Sequence, residues 1–197
     1  MTLRRLAEEN LQPKAFEFSS SNLTIIESLI NKYPMGKKAS AILPVLDLAQ
    51  RQNDNWLSLA AIKVVSEILE MPMVKILEVV TFYTMYNLSP VGKHVLQVCT
   101  TTPCWLRGSD QIYKSCKEKL GINFGETTKD REFTLVEVEC LGACANAPVV
   151  QINDDYYEDL DKESIKKIIE KLKKNLKPAH GPQSKRMGSE PLSEKEL

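Results

Sequence analysis

The chain is poor in the groups that most often carry catalysis. Its 197 residues include only two histidines and two tryptophans, and aromatics make up 7%. No G-x-G-x-x-G turn, no P-loop and no Ser/His/Asp set is apparent, so the chain is not expected to hold a nucleotide or substrate site of its own. Lys+Arg and Asp+Glu both number 26, and this balance lacks the basic excess of a nucleic-acid binder. No apolar run approaches the roughly 20 residues that span a bilayer, which argues against direct membrane insertion. The N-terminal stretch has no signal-peptide apolar segment, and Glu8, Glu9 and Glu17 are acids that a mitochondrial presequence avoids. These absences predict a soluble protein of a reducing cytoplasm, where paired cysteines serve metal or redox chemistry rather than disulfides.

Five cysteines are present, and four of them form two close pairs. "CTTTPC" places Cys99 and Cys104 after the apolar run "HVLQV", and "CLGAC" places Cys140 and Cys144 after "FTLVEVE". Four thiolates can hold a zinc ion or an iron–sulfur cluster. Structural zinc sites use tight C-x2-C knuckles. A [2Fe–2S] rhombus is longer and takes two sulfurs per iron, so C-x4-C and C-x3-C on separate loops favour the cluster. Gly142 permits dihedrals that turn the N–H groups of Leu141, Gly142 and Ala143 inward, and Thr100 to Thr102 can donate by backbone and hydroxyl. Cys116 differs. Ile112, Cys116 and Leu120 are four apart on one helix, so Cys116 is expected to pack as a small hydrophobe. His94 and His180 stand alone and are expected at the surface.

The hydrophobic share of 43% suffices for a core in one domain or two small ones. Residues 1–20 read as an irregular arm and 21–90 as a helical domain. There Leu23, Ile26, Leu29 and Ile30 share a face after a Ser21 or Asn22 cap. Ile42, Leu43 and Leu46 form a second stripe, Leu59, Ile62 and Leu69 a third after Ser58, and Pro72 opens a fourth helix. Trp56 and the aromatics of "TFYTMY" either pack or face a partner; spacing does not choose. Residues 91–176 follow β-α-β-β-β-α. "HVLQVC" is apolar on both faces and therefore central. Ser109 and Gly121 bound a helix, "NDD" marks a hairpin, and Ile165, Ile168, Ile169, Leu172 and Leu176 line the last helix. The fold class expected is α+β, a helical domain followed by a thioredoxin-like layer. Residues 177–197, with three prolines and little apolar content, are expected to be a flexible tail, disordered or extended on something else; if 178–197 do not join the core, their removal leaves cluster and stability nearly unchanged.

"TFYTMYNLSPVGKHVLQVCTTTPCWLRGSD" and "VECLGACANAPVVQIND" resemble the small [2Fe–2S] subunit family of NADH:quinone oxidoreductase, respiratory complex I. The resemblance runs from about Leu23 to Leu172. It implies a thioredoxin-like [2Fe–2S] ferredoxin domain with Cys99, Cys104, Cys140 and Cys144 as cluster ligands. It also implies a place beside the larger subunit that binds NADH and FMN, among the other peripheral-arm subunits, on the cytoplasmic face of a bacterial inner membrane or its mitochondrial matrix equivalent. The runner-up is the equivalent diaphorase subunit of an NAD-linked hydrogenase or formate dehydrogenase. A zinc-stabilised interaction module is the remaining alternative. Arg107, three residues after Cys104, is a candidate for tuning the cluster. Glu137 and Glu139 share a strand face and need not point toward it.

Overall fold

The computed structural model describes residues 5–189. The chain divides between Val91 and Gly92 into two compact units. Among the described residues the elements are seven α-helices and one mixed six-stranded sheet, an α+β arrangement.

The first unit is built on α1 (Ser20–Ile30), α2 (Ile42–Gln52), α3 (Leu59–Leu69) and α4 (Met73–Phe82). Ser58 Oγ accepts the Ala61 N–H and caps α3 as expected. The cap of α1 lies earlier than expected. Ser19 is the residue with extended backbone, and its Oγ accepts the Asn22 N–H, whereas Ser21 and Asn22 are already helical. Pro44 is third in α2, inside the first turn, where no backbone N–H has a helical partner to lose. Ile26, Val45, Leu46, Ile62, Val65, Leu69, Ile76 and Val80 fill the core. Leu23 does not join them; it is exposed, so the inner face of α1 is narrower than its apolar pattern. Gln50 ties α2 to the loop after α4, donating to Met85 O and accepting the Asn87 N–H. Trp56 and Tyr86 are buried, while Phe82, Tyr83 and Met85 face outward. Of the expected arm, the described residues before α1, 5–19, hold one 3-10 turn, Glu9–Leu11, and are anchored where Ala7 N–H donates to Leu88 O and Phe18 is buried.

The second unit contains β1 (His94–Cys99), α5 (Thr102–Leu106), α6 (Ser109–Leu120), β2 (Glu126–Thr127), β3 (Phe133–Val138), β4 (Val150–Ile152), β5 (Asp155–Glu158), α7 (Lys162–Lys173) and β6 (Gly181–Pro182). The sheet order is β2-β3-β1-β4-β5-β6, with β1 inside, parallel to β3 and antiparallel to β4. Leu96 and Val98 of β1, Leu135 of β3 and Ile152 of β4 form one cluster with Ile112 and Cys116 of α6 and Ile165, Ile169 and Leu172 of α7. The inner stripe of α7 ends at Leu172, and Leu176, placed on it by spacing, is exposed. Lys166–Glu118 and Lys119–Glu170 link α7 to α6 at the surface, where solvent screens such pairs.

His94 departs from its expected surface position. Its ring lies against Phe133, and Nε2 is buried with no hydrogen-bond partner among the described residues. Burial, and then the neighbouring Lys93 charge, lower its pKa against the opposing pull of Glu132. The folded state therefore disfavours the proton more than the unfolded chain does. Stability is full above the unfolded histidine pKa near 6.5 and falls as pH drops through the window below it. Urea midpoints at pH 7.5 and 5.5 should differ less in His94→Gln than in the unsubstituted chain; equal differences would show that His94 does not drive the slope.

The stretch expected to be a flexible tail is docked as far as it is described. Pro178 and Gly181 are buried, and β6 pairs in parallel with β5 through Tyr157–Gly181 and Glu158–Pro182. Composition misses this docking because it depends on backbone hydrogen bonds and paired charges, not apolar side chains. Residues 190–197 of the expected tail lie outside the described residues.

Candidate metal centre

The parallel register of β1 and β3 sets Cys99 opposite Val138. The loops that follow, 100–104 and 139–144, thus leave two neighbouring strands in the same direction. The Thr100 N–H donates to Val138 O, continuing the pairing past the strand end. Leu96 and Val98 face the α6–α7 core, so the alternation of β1 turns Cys99 to the opposite face. There Cys99 and Cys104 cluster with Ala143, Ala147 and Val149.

Cys104 sits in the short helix α5, where the sequence pattern predicts a loop. Pro103 suits that first turn, having no N–H to leave unsatisfied. Thr101 holds the N-cap position but does not cap with its side chain. Its hydroxyl instead lies 3.3 Å from Cys99 Sγ. Thr100 is turned away and donates to Glu137 Oε1. In the second loop Gly142 has φ +85°, and its N–H donates to Cys140 Sγ at 3.4 Å. A side chain at that φ would be strained, so the glycine is what lets the loop present its N–H to sulfur.

The two cysteine pairs are neighbours. Cys140 and Cys144 are 3.2 Å apart and exposed, and Cys99 and Cys104 are buried. Burial first, then the hydrogen bond with Cys99, pushes the Cys104 thiol up to about 12, and Cys144 adds to it. The Gly142 N–H, and then Cys144, hold the Cys140 thiol below its ordinary value. Cys144 is raised by its contact with Cys140 and also senses Cys99. Among the described residues no group of three His, Cys, Asp or Glu side chains is gathered as a set for one metal ion. The donors are soft thiols in two neighbouring pairs, with a backbone N–H donating to Cys140 Sγ and the Thr101 hydroxyl 3.3 Å from Cys99 Sγ. This set fits a dinuclear iron–sulfur cluster.

Cys116 and Arg107 stand apart. Cys116 is fully buried on α6 among apolar side chains, and burial pushes its thiol up to about 12. Arg107 ends α5, exposed, and its charge reaches Asp159, which it helps Arg186 to hold below the ordinary carboxylate value. Tyr156, Asn146 and Arg186 are residues to which the sequence pattern does not point. The Tyr156 hydroxyl donates to Leu141 O inside the second cysteine loop at 2.7 Å. Asn146 and Arg186 hold the turn after Cys144. Glu158 closes β5 after two tyrosines, and a carboxylate buried there needs donors.

Residues 26–173 match the family model described as thioredoxin-like [2Fe–2S] ferredoxin. The chain belongs to that family. It is 64% identical over 158 residues to an NADH-quinone oxidoreductase subunit of Rickettsia bellii (strain RML369-C), covering 80% of this chain and 95% of that one. It is 49% identical over 183 residues to the mitochondrial NADH dehydrogenase [ubiquinone] flavoprotein 2 of Dictyostelium discoideum, covering 93% and 74%. The fold is shared with an NAD+-reducing [NiFe]-hydrogenase in the air-oxidized state, at a TM-score of 0.58 and 21% identity over 66% of this chain and 23% of the hydrogenase chain. No helix among the described residues is long and apolar enough to cross a membrane.

Proposed function

We propose that this chain is the [2Fe–2S] electron-transfer subunit of an NADH-quinone oxidoreductase, with Cys99 and Cys104 supplying one pair of thiolates and Cys140 and Cys144 the other. The observation that carries this reading is the meeting of the two cysteine pairs at the ends of parallel strands, with Gly142 N–H and Thr101 hydroxyl directed at sulfur. When bound, the cluster supplies a one-electron carrier. Those two donors favour the more negative, reduced site, and the buried first pair keeps half of it from water. In this reading, which rests on the resemblance to that family, NADH and FMN belong to a flavin-bearing subunit beside this chain, among the other peripheral-arm subunits. The chain then takes part in NADH oxidation and in electron transfer towards quinone coupled to proton translocation. That assembly lies on the cytoplasmic face of a bacterial inner membrane or, in a mitochondrion, on the matrix side.

The purified full-length chain should contain iron and acid-labile sulfide in equal amounts and give a paramagnetic signal after dithionite reduction. A colourless, zinc-loaded protein would falsify the cluster. The second reading, a diaphorase subunit of an NAD-linked hydrogenase or formate dehydrogenase, draws on the shared fold alone. Co-purification separates the two: a flavoprotein accompanied by quinone-reductase subunits supports the first, and a nickel–iron or molybdenum subunit the second.

Arg107 is proposed as a tuning residue for that cluster. Reduction adds negative charge, so a nearby cation favours the reduced state and Arg107→Ala should lower the potential. A unit charge about 8 Å away, at an effective dielectric near 20, contributes about 2 kcal/mol. For one electron that is an upper limit of roughly 90 mV. Exposure and the neighbouring Asp159 reduce it to tens of millivolts. A redox titration of Arg107→Ala that is unchanged or shifted upward sinks the tuning role and leaves the ligands untouched.

A further inference from the structure

The turn that carries Cys144 is held from outside by the C-terminal segment. Cys144–Asn146 is a single 3-10 turn, closed locally by Asn146 N–H to Ala143 O and Ala147 N–H to Cys144 O. One turn of this kind has little stability of its own. Its other fastenings come from β5 and from the residues after β6. Arg186 forks across the gap: Nε donates to Asp159 Oδ2 at 2.6 Å, and Nη2 donates both to Asp159 Oδ1 and, at 2.7 Å, to Ala145 O, the carbonyl immediately after Cys144. The buried Asn146 side chain donates to Glu158 Oε2 at 2.5 Å and to Met187 O at 3.0 Å. Asp159 N–H donates to Asn146 O at 2.7 Å. Ser189 closes the far side, its N–H and hydroxyl both donating to Glu158. The parallel pairing of β6 with β5 brings residues 183–189 past the end of β5, where these bonds form.

We infer that residues 181–189 form a strap that positions Cys144 in the cluster site, with Arg186 as its principal positioning residue. These hydrogen bonds of the strap reach backbone and carboxylate groups, not sulfur. It acts on the backbone of the residues next to Cys144, and so governs how firmly the exposed thiolate pair is held. A planar guanidinium fits this role because one group must reach a carboxylate and a carbonyl together. The primary amine of a lysine lacks that fork. This inference rests on the reading of Cys144 as a cluster ligand.

The test uses the full-length chain with its cluster, unsubstituted and as Arg186→Ala, Arg186→Lys and Lys166→Ala. Lys166 is a control, since it holds only a surface pair on α7. Amide hydrogen exchange at Asn146 and Ala147 should quicken severalfold in Arg186→Ala while the amides of α6 keep their rates. Iron loss to a chelator should be about tenfold faster, the scale on which groups behind metal ligands act. Arg186→Lys should fall between the two, and Lys166→Ala should match the unsubstituted chain. Faster exchange without faster iron loss overturns the positioning role, and unchanged exchange overturns the strap itself. A Cys144→Ala chain with an unaltered cluster spectrum overturns the ligand reading instead, and is told apart because Arg186→Ala would then still quicken exchange at the turn.

Discussion

Alanine at any one of Cys99, Cys104, Cys140 or Cys144 is expected to abolish or severely weaken the cluster spectrum of the purified chain, while Cys116→Ala retains it. An iron left with one protein thiolate has lost half of its anchoring, and the fifth thiol is not placed to substitute. Cys116, the remaining thiol, lies on α6 within the apolar cluster that includes Leu96 and Val98, the face of β1 opposite to Cys99. The four substitutions should differ in their effect on folding. Cys140 and Cys144 are exposed, so their alanine variants should fold and simply lack colour. Cys99 and Cys104 are buried against Ala143, Ala147 and Val149, so their loss also thins the packing beneath the loops, at about 1 kcal/mol each. Cys116→Ala should show a comparable small loss of stability with full colour. Absorbance and paramagnetic spectra, read beside thermal melting, separate colour from folding. A Cys140→Ala chain that keeps the spectrum, or a Cys116→Ala chain that loses it, reverses the assignment.

The cysteine pattern is legible in sequence because few other residues provide soft anionic donors, and their spacing reports how many loops must meet. The central place of β1 is legible for a similar reason: "HVLQVC" is apolar on both faces, and only an inner strand buries both. The amphipathic α7 declares its inner face through Ile165, Ile168, Ile169 and Leu172. Contacts made through backbone are not legible. β2 and β6 are two residues each, too short to show any period. Thr100 to Thr102 are legible as donors to sulfur, but which hydroxyl reaches Cys99 is not: Thr101 lies 3.3 Å from its Sγ while Thr100 donates to Glu137, and only the fold chooses. His94 reads as a surface residue at a strand edge, but Phe133, its register partner on β3, covers its ring. The C-terminal segment misleads most. A stretch with prolines, lysines and few apolar residues has the composition of a disordered tail, and what docks it is the pairing of two acids at the end of β5 with donors far along the chain.

Those acids set the outcome of truncation. Deleting residues 178–197 should lower the melting temperature markedly, and the main cause is Glu158. It is 1% exposed, and its carboxylate is met by Asn146 Nδ2 and by the Ser189 N–H and hydroxyl. Truncation removes both Ser189 donors, the β6 pairing, and the bond from Gln183 N–H to Glu158 O. Leaving a buried charged acceptor short of donors costs about 2–3 kcal/mol, and water reaching the uncovered carboxylate limits the loss to that range. For a unit of this size such a loss corresponds to a fall of roughly 10 °C or more. Glu158→Gln separates the carboxylate from the rest of the strap. In the full-length chain it places an amide N–H against donors and should destabilise by about 1–2 kcal/mol. In the truncated chain the same substitution should cost less, because the strap's donors are already gone and Asn146 Nδ2 is the one of these donors left to lose. Additive losses in the two backgrounds would mean that Glu158 and the strap act independently, and an unchanged melting temperature on truncation would mean that the docked segment contributes nothing to the fold.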